Sequence, residues 1–234
     1  MSTQQRTRRD PTGETFDRFR NPTANATTEL VIVRHGQTAA NIAGLLVGRQ
    51  DVLLTELGHE QAKRAAEAIS SQEPNALVTS PLQRARQTAK PIAERTLLLP
   101  DVEDEIAEFG FGDFEGWTEK DALARHPNLR PLITGEAHPD EQWPNGESGS
   151  GFVARIFEGI GRIVADHPNQ RVVVVTHGGV IGSWVARMAE DGATSFFPYL
   201  VHNCSISTFE VTSRGTTCIS WGQTEHLEGL TGHE

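Results

Sequence analysis

Three observations predict an α/β fold built on a mainly parallel sheet. Apolar runs of strand length alternate with stretches of helical periodicity, the order expected of βαβ units. The runs are rich in valine and isoleucine, as strands buried in such a sheet are. Two of them end abruptly in polar residues followed by glycine, and open α/β sheets bind ligands outside the carboxyl ends of their strands.

The first strand is predicted at Leu30 to Val33, followed by Arg34-His35-Gly36. After a glycine-containing loop from Gly44 to Leu54, Thr55 reads as an N-cap. Leu57, Gln61, Arg64, Ala65, Ala68 and Ile69 then form a moderately amphipathic helix. Pro74-Asn75 ends it, Ala76-Leu77-Val78 is the second strand, and Pro81 opens a helix to about Glu94. Leu97 to Leu99 is at best a short strand. Residues 110–116 mix glycines with aromatics in a loop, and a helix starts near Thr118. Residues 127–147 carry four prolines and two glycines and read as an irregular excursion over one face. Ser148 or a neighbour caps a helix to about Asp166. Strand 171–176, ending in Thr176-His177-Gly178-Gly179, a helix through Met188 and a terminal hairpin complete the chain.

These elements make one domain over residues 29–234, with an irregular cap at about 117–147. Residues 1–28, rich in arginine and poor in apolar side chains, read as a disordered or extended N-terminal arm. Cys204 and Cys218 fall in the hairpin strands, roughly 201–211 and 215–222. A tight turn at 213–215 sets residue 218 opposite about 209, so no disulfide is expected between them, which suits a cytoplasmic protein. The net charge of −10 argues against nucleic acid or an anionic membrane as partner, and no run is long enough to span a bilayer. An anionic substrate would need locally placed arginines. A homodimer is compatible with the sequence, which contains no exposed apolar stripe that would demand one.

Two histidines and two arginines, His35, His177, Arg34 and Arg84, are delivered by three strand ends. A neutral imidazole is a competent nucleophile toward phosphorus. The oxygens of a phosphoryl group in transfer need fixed positive charge or hydrogen-bond donors, which the planar guanidinium supplies two at a time. Gly36, Gly178 and Gly179 would let backbone N–H groups approach the anion, with helix starts behind them. Two guanidiniums should also lower the pKa of His35 and keep it neutral. A leaving alkoxide needs a proton, so a carboxylic acid is wanted. Glu108 precedes the loop FGFGDFEG; Glu105, Asp113 and Glu115 compete with it on position alone. The other histidines show no ligand spacing, so neither a metal nor another cofactor is expected.

The chain resembles the histidine phosphatase superfamily, in its phosphoglycerate mutase-like branch, from about residue 30 to 222. The resemblance rests on RHGQTAAN at 34–41, GRQDVLLTELGHEQA at 48–62, TSPLQRARQTA at 79–89, EFGFGDFEG at 108–116, PNGES at 144–148 and THGG at 176–179. It implies a three-layer α/β/α sandwich with one antiparallel strand in a mostly parallel sheet. It further implies that His35 is the phosphorylated nucleophile and Glu108 the proton donor. Arg34, Arg84, His177 and Gly178 would then bind phosphate, with Asn41 as a further side-chain donor.

Plainer roles exist for several of these residues. Asn41 would serve as the cap of a short helix, Arg84 as a surface cation beside Arg86, and Glu147 and Ser148 as capping residues. Phe109, Phe111, Phe114, Trp117 and Trp143 would pack the cap and core, with one or two walling the pocket. Mutases of the family carry basic residues directly after the acid; here Phe109-Gly110-Phe111 stands there. The cap sets Lys120, Arg125 and Arg130 against six carboxylates and would repel a carboxylate-rich substrate unless an arginine reaches inward. The expected function is therefore a metal-independent phosphomonoesterase acting on a small phosphorylated metabolite through a phosphohistidine. A 2,3-bisphosphoglycerate-dependent mutase is the alternative, and a non-catalytic phosphate-binding module a remote one.

Overall fold

The computed structural model describes residues 9–134, 136–190 and 197–230. Its centre is a strand, β2 (Thr27–Arg34), with β1 (Thr15–Phe16) preceding it in the chain. Four helical or extended segments follow: α1 (Ala39–Ile42), α2 (Glu56–Ser70), β3 (Ala76–Thr79) and α3 (Gln83–Thr96). After β4 (Pro100–Val102) come two cap helices, α4 (Glu119–Arg125) and α5 (Arg130–Thr134). The chain returns through α6 (Gly149–Asp166), β5 (Arg171–Thr176) and α7 (Gly178–Ala189), then ends in the hairpin β6 (Ile206–Thr212) and β7 (Gly215–Gln223).

The seven strands form one sheet in the order β1-β7-β6-β2-β5-β3-β4. Strands β2, β5, β3 and β4 pair in parallel, and β6 runs antiparallel to β2. Period-two alternation sorts the central strands onto two layers. Leu30, Ile32, Val172 and Val174 belong to the core that takes in Phe152, Ile156 and Ile160 of α6 and Trp184 of α7. Val31, Val33, Val173 and Val175 face Ala62, Ala65 and Ile69 of α2 and Ala85, Ala89 and Ile92 of α3. Helices thus cover both faces, which is the three-layer sandwich. Thr55 and Ser148 cap α2 and α6 as their residue types require, accepting from Gly58 N–H and Gly151 N–H.

Three local expectations need adjustment. Leu97 does not enter a strand; it ends α3 in the left-handed conformation at φ 59°, and the edge strand begins at Pro100, whose missing N–H is harmless there. Residues 127–129 form a 3₁₀ turn leading into α5, so part of the excursion is helical. The largest difference lies in the N-terminal arm, of which residues 1–8 fall outside the described residues. From residue 9 onward it is packed rather than trailing. Thr15 and Phe16 pair antiparallel with Thr217 and Thr216, adding a second reversed strand at the sheet edge. Phe19 is buried edge-on against Phe157 and Trp184, with ring centroids 5.5 and 5.3 Å away. The buried rings of Phe16 and Phe19, together with backbone bonds such as Gly13 N–H to the Cys218 carbonyl and Asn21 N–H to the Thr212 carbonyl, hold a segment whose composition is otherwise that of a tail.

In the hairpin, Cys218 lies opposite Phe209, and both cysteines are free and buried. Burial pushes the Cys218 thiol up to about 12 and raises that of Cys204 further, so neither is a thiolate at neutral pH. Among the described residues no helix is long and apolar enough to cross a membrane.

Candidate active site

The adjacent parallel strands β2 and β5 end beside each other, since Arg34 is the register partner of Thr176. The next residue on each chain is a histidine. His35 N–H donates to the Thr176 carbonyl at 2.9 Å, and the two imidazole centroids are 5.2 Å apart. Both rings are buried. His35 Nδ1 sits 2.8 Å from the Gly36 carbonyl, which can only accept, so the ring proton is on Nδ1 and Nε2 carries the lone pair. Burial chiefly, then the charges of Arg84 and Arg34, hold the His35 pKa well below 6.5. The neutrality expected from two guanidiniums is therefore present, with desolvation as its larger cause.

Arg84 is no surface residue. It lies in the first turn of α3, 2 % exposed, and donates to the Gly48 and Gln50 carbonyls at 2.8 and 2.9 Å. Arg86, two residues on, is exposed. Those carbonyls hold the fork in place without neutralising it. Burial lowers its pKa, while Glu108, Asp51 and Glu115 raise it. Arg34 donates to the Val201 carbonyl and lies under Gly178, where an added Cβ would stand 3.3 Å from Nε. Gly178 opens α7, whose N-cap His177 makes no side-chain capping bond, so the positive helix end faces the site.

Not all three glycines present an N–H to a ligand. Gly36 N–H donates to Thr88 Oγ1 at 3.0 Å, and the residue is glycine because a Cβ would lie 2.5 Å from the Gly58 carbonyl oxygen. Gly179 N–H donates to Glu108 Oε2 at 3.1 Å. Gly178 remains as the backbone donor among them. Asn41 fills its capping role: Oδ1 accepts from Thr38 N–H and Oγ1, both at 3.0 Å. None of these bonds uses Nδ2, and the residue lines the cavity, so capping and ligand binding are compatible.

The four competing carboxylates separate cleanly. Glu115 Oε1 accepts from Arg49 N–H and ties down the 44–54 loop. Both Asp113 oxygens accept from Asn145 Nδ2. The Glu105 side chain packs beside Gly159 of α6. Glu108 alone of the four lines the cavity, held between Phe109 N–H at 2.9 Å and Gly179 N–H.

Two contributors escaped the sequence reading. Ser80 Oγ lies 2.6 Å from His177 Nε2. Arg155, on α6, donates to the carbonyls of Glu105, Ala107 and Glu108 at 2.6, 2.7 and 2.9 Å and also pairs with Glu147. Glu147, expected to cap, instead accepts Gly110 N–H at 2.7 Å. Burial opposes its ionisation, but the bonds from Arg155 and Gly110 keep its pKa below the usual range. No spacing rule links residue 155 to residue 108, so no local pattern could have exposed this bracket.

The residues enclose a cavity of about 230 Å³. Its floor is Arg34, His35, Arg84, Glu108 and Gly178, and Phe109, Phe111 and Trp143 form part of its walls. Among the described residues no group of three or more His, Cys, Asp or Glu is placed to hold a metal.

A buried neutral imidazole between two fixed guanidiniums, at the strand ends of a doubly covered α/β sheet, defines a phosphoryl-transfer type of site. The chain belongs to the histidine phosphatase superfamily (branch 1), which it matches over residues 30–224. It is 31% identical over 206 residues to the metal-independent phosphoserine phosphatase of Arabidopsis thaliana, covering 87% of this chain and 84% of that one. It is 36% identical over 169 residues to the glucosyl-3-phosphoglycerate phosphatase of Mycobacterium tuberculosis, covering 68% and 74%. The solved mycobacterial glucosyl-3-phosphoglycerate phosphatase superimposes with a TM-score of 0.75 at 29% identity, covering 85% of this chain and all of that one.

Proposed function

We propose that the protein is a cytoplasmic phosphomonoesterase that hydrolyses a small phosphorylated metabolite through a covalent phosphohistidine, with no metal required. The observation that carries this reading is the setting of His35: a ring buried beside Arg34 and Arg84 with Nδ1 on the Gly36 carbonyl, which leaves Nε2 for attack, and with its pKa held well below 6.5.

In the first half-reaction Nε2 of His35 attacks phosphorus. The N–P bond forms, the P–O bond to the alcohol breaks, and Glu108 gives its proton to the departing oxygen. Arg34, Arg84 and the Gly178 N–H neutralise the equatorial oxygens. Ser80 Oγ, 2.6 Å from His177 Nε2, can donate its hydroxyl proton to that nitrogen. With Ser80 donating, the His177 proton sits on Nδ1, a buried atom with no hydrogen-bond partner among the described residues, as a further donor to the phosphoryl group. In the second half-reaction the Glu108 carboxylate takes a proton from water, the hydroxide attacks phosphorus, and the N–P bond breaks. Inorganic phosphate leaves and His35 is neutral again.

The mutase reading is weaker because Phe109 and Phe111, not cations, line the cavity after the acid. Phosphorus NMR with 3-phosphoglycerate and a panel of phosphate esters, in EDTA and with a trace of 2,3-bisphosphoglycerate, tests both readings. Free phosphate is the expected product. A 2-phosphoglycerate signal without free phosphate would make the chain a mutase.

A further inference from the structure

The cap was expected to exclude carboxylate-bearing substrates unless one of its cations turned inward, and the structure shows where those cations go. The Arg125 guanidinium carbon lies 4.9 Å from the centroid of Trp117, stacked on its ring. Lys120 and Arg130 are exposed, and none of the three lines the cavity. Arg49 is turned to Glu147 at 3.2 Å. Among the described residues, the arginines and lysines that line the cavity are Arg34 and Arg84, both at the phosphate end.

Beyond the phosphate end the cavity changes character. Leu45, Leu46 and Val47 line it from the loop after α1, and Leu132 and Ile133 from α5, opposite the aromatic wall. Where ionisable groups reappear, the carboxylates Glu119 and Glu141, both exposed, outnumber the single imidazole of His138, which is turned to Asp140 at 3.8 Å. A carboxylate on the leaving group would lose its hydration against leucine and phenylalanine side chains, with no arginine or lysine among the described residues there to receive it, and would face two like charges on the cap. An apolar alcohol loses nothing there and removes its own surface from water.

We infer that the alcohol half of the substrate is apolar and carries no carboxylate, so that this chain departs in specificity from relatives whose named substrates are phosphoserine and a phosphoglycerate derivative. The inference rests on the phosphatase reading of the site. It assigns Leu132, Ile133 and Val47 to alcohol recognition and Glu119 and Glu141 to exclusion of anions.

A matched pair of substrates tests it: n-hexyl phosphate and its ω-carboxylate analogue 6-(phosphonooxy)hexanoate, with p-nitrophenyl phosphate as a common reference. The expected result is a kcat/KM for hexyl phosphate at least about tenfold above that of the carboxylate analogue. Glu141→Lys, a change at an exposed position, should narrow that ratio severalfold by giving the carboxylate a cation. Hydrolysis of the reference ester with equal or faster turnover of the carboxylate analogue would overturn the inference and leave the phosphatase reading standing. No hydrolysis of any of the three, and no phosphoenzyme, would overturn the phosphatase reading itself. An unchanged ratio in Glu141→Lys would remove Glu141 from anion exclusion.

Discussion

At the residue scale the site depends on two imidazoles kept neutral by burial and by neighbouring guanidiniums. Both His35 and His177 have pKa values well below 6.5, so each stays unprotonated in the folded protein where the unfolded chain would already bind a proton. Below pH 6.5 the unfolded state therefore holds more protons, and stability falls with pH; above 6.5 the contribution is complete. The melting temperature should drop between pH 7.5 and 5.5, and His177→Gln should flatten that dependence. Calorimetry across the range measures it, and equal slopes in the two proteins would exclude His177 as a source. For catalysis, His35→Ala should abolish turnover and any acid-labile phosphoenzyme, whereas retained activity would displace His35 as nucleophile. Glu108→Gln should slow an alkyl ester far more than p-nitrophenyl phosphate, whose leaving group needs little help from an acid. Equal losses on both would contradict the acid role.

At the element scale the site is assembled by contacts between segments that are distant in the chain. Helix α6 carries Arg155, which clamps three carbonyls of the segment that presents Glu108 and leaves Glu147 paired. Arg155→Met should lower kcat/KM about 10- to 100-fold and destabilise the fold by about 1–3 kcal/mol, since three carbonyls would lose a charged donor and Glu147 would be left with Arg49 and the Gly110 N–H. As a positioning effect, the loss should be larger for poor leaving groups than for p-nitrophenyl phosphate, because Glu108 is what moves. Urea titration and the two esters together measure this. Just past the carboxyl end of β2, Gly36→Ala would drive a Cβ onto the Gly58 carbonyl and cost about 1–3 kcal/mol, with His35 displaced along with it.

At the scale of the whole molecule, the N-terminal arm is a structural part of the sandwich. It extends the sheet by β1 and places Phe19 between α6 and α7, so it braces the two helices behind the site without lining the cavity. Phe19→Ala should cost about 3–5 kcal/mol. Below the variant's melting temperature, its KM should stay near that of the parent protein. A melting temperature unchanged by the substitution would mean that the arm is not anchored there.

While β1, α5 and the start of β4 at Pro100 escaped the sequence, the succession of the other strands and helices, the N-caps at Thr55 and Ser148 and the hairpin register that sets Cys218 opposite Phe209 were legible in it. Each follows from local periodicity, capping chemistry or turn length, and these act over a few residues. The strand-end positions of His35 and His177 belong to the same class. Other features arise between segments distant in the chain: the choice of Glu108 over Asp113 and Glu115, the Arg155 bracket, the burial of Arg84 and the anchoring of Phe19. The turning of Arg125 onto Trp117 spans few residues, but it depends on how the cap packs and leaves no spacing signal. By itself the sequence determined the sheet, its helices and the residues available for phosphoryl chemistry, because those depend on neighbours along the chain. The tertiary structure decided which carboxylate reaches the cavity, which cations stay out of it and where the arm lies, because those depend on neighbours that folding alone creates.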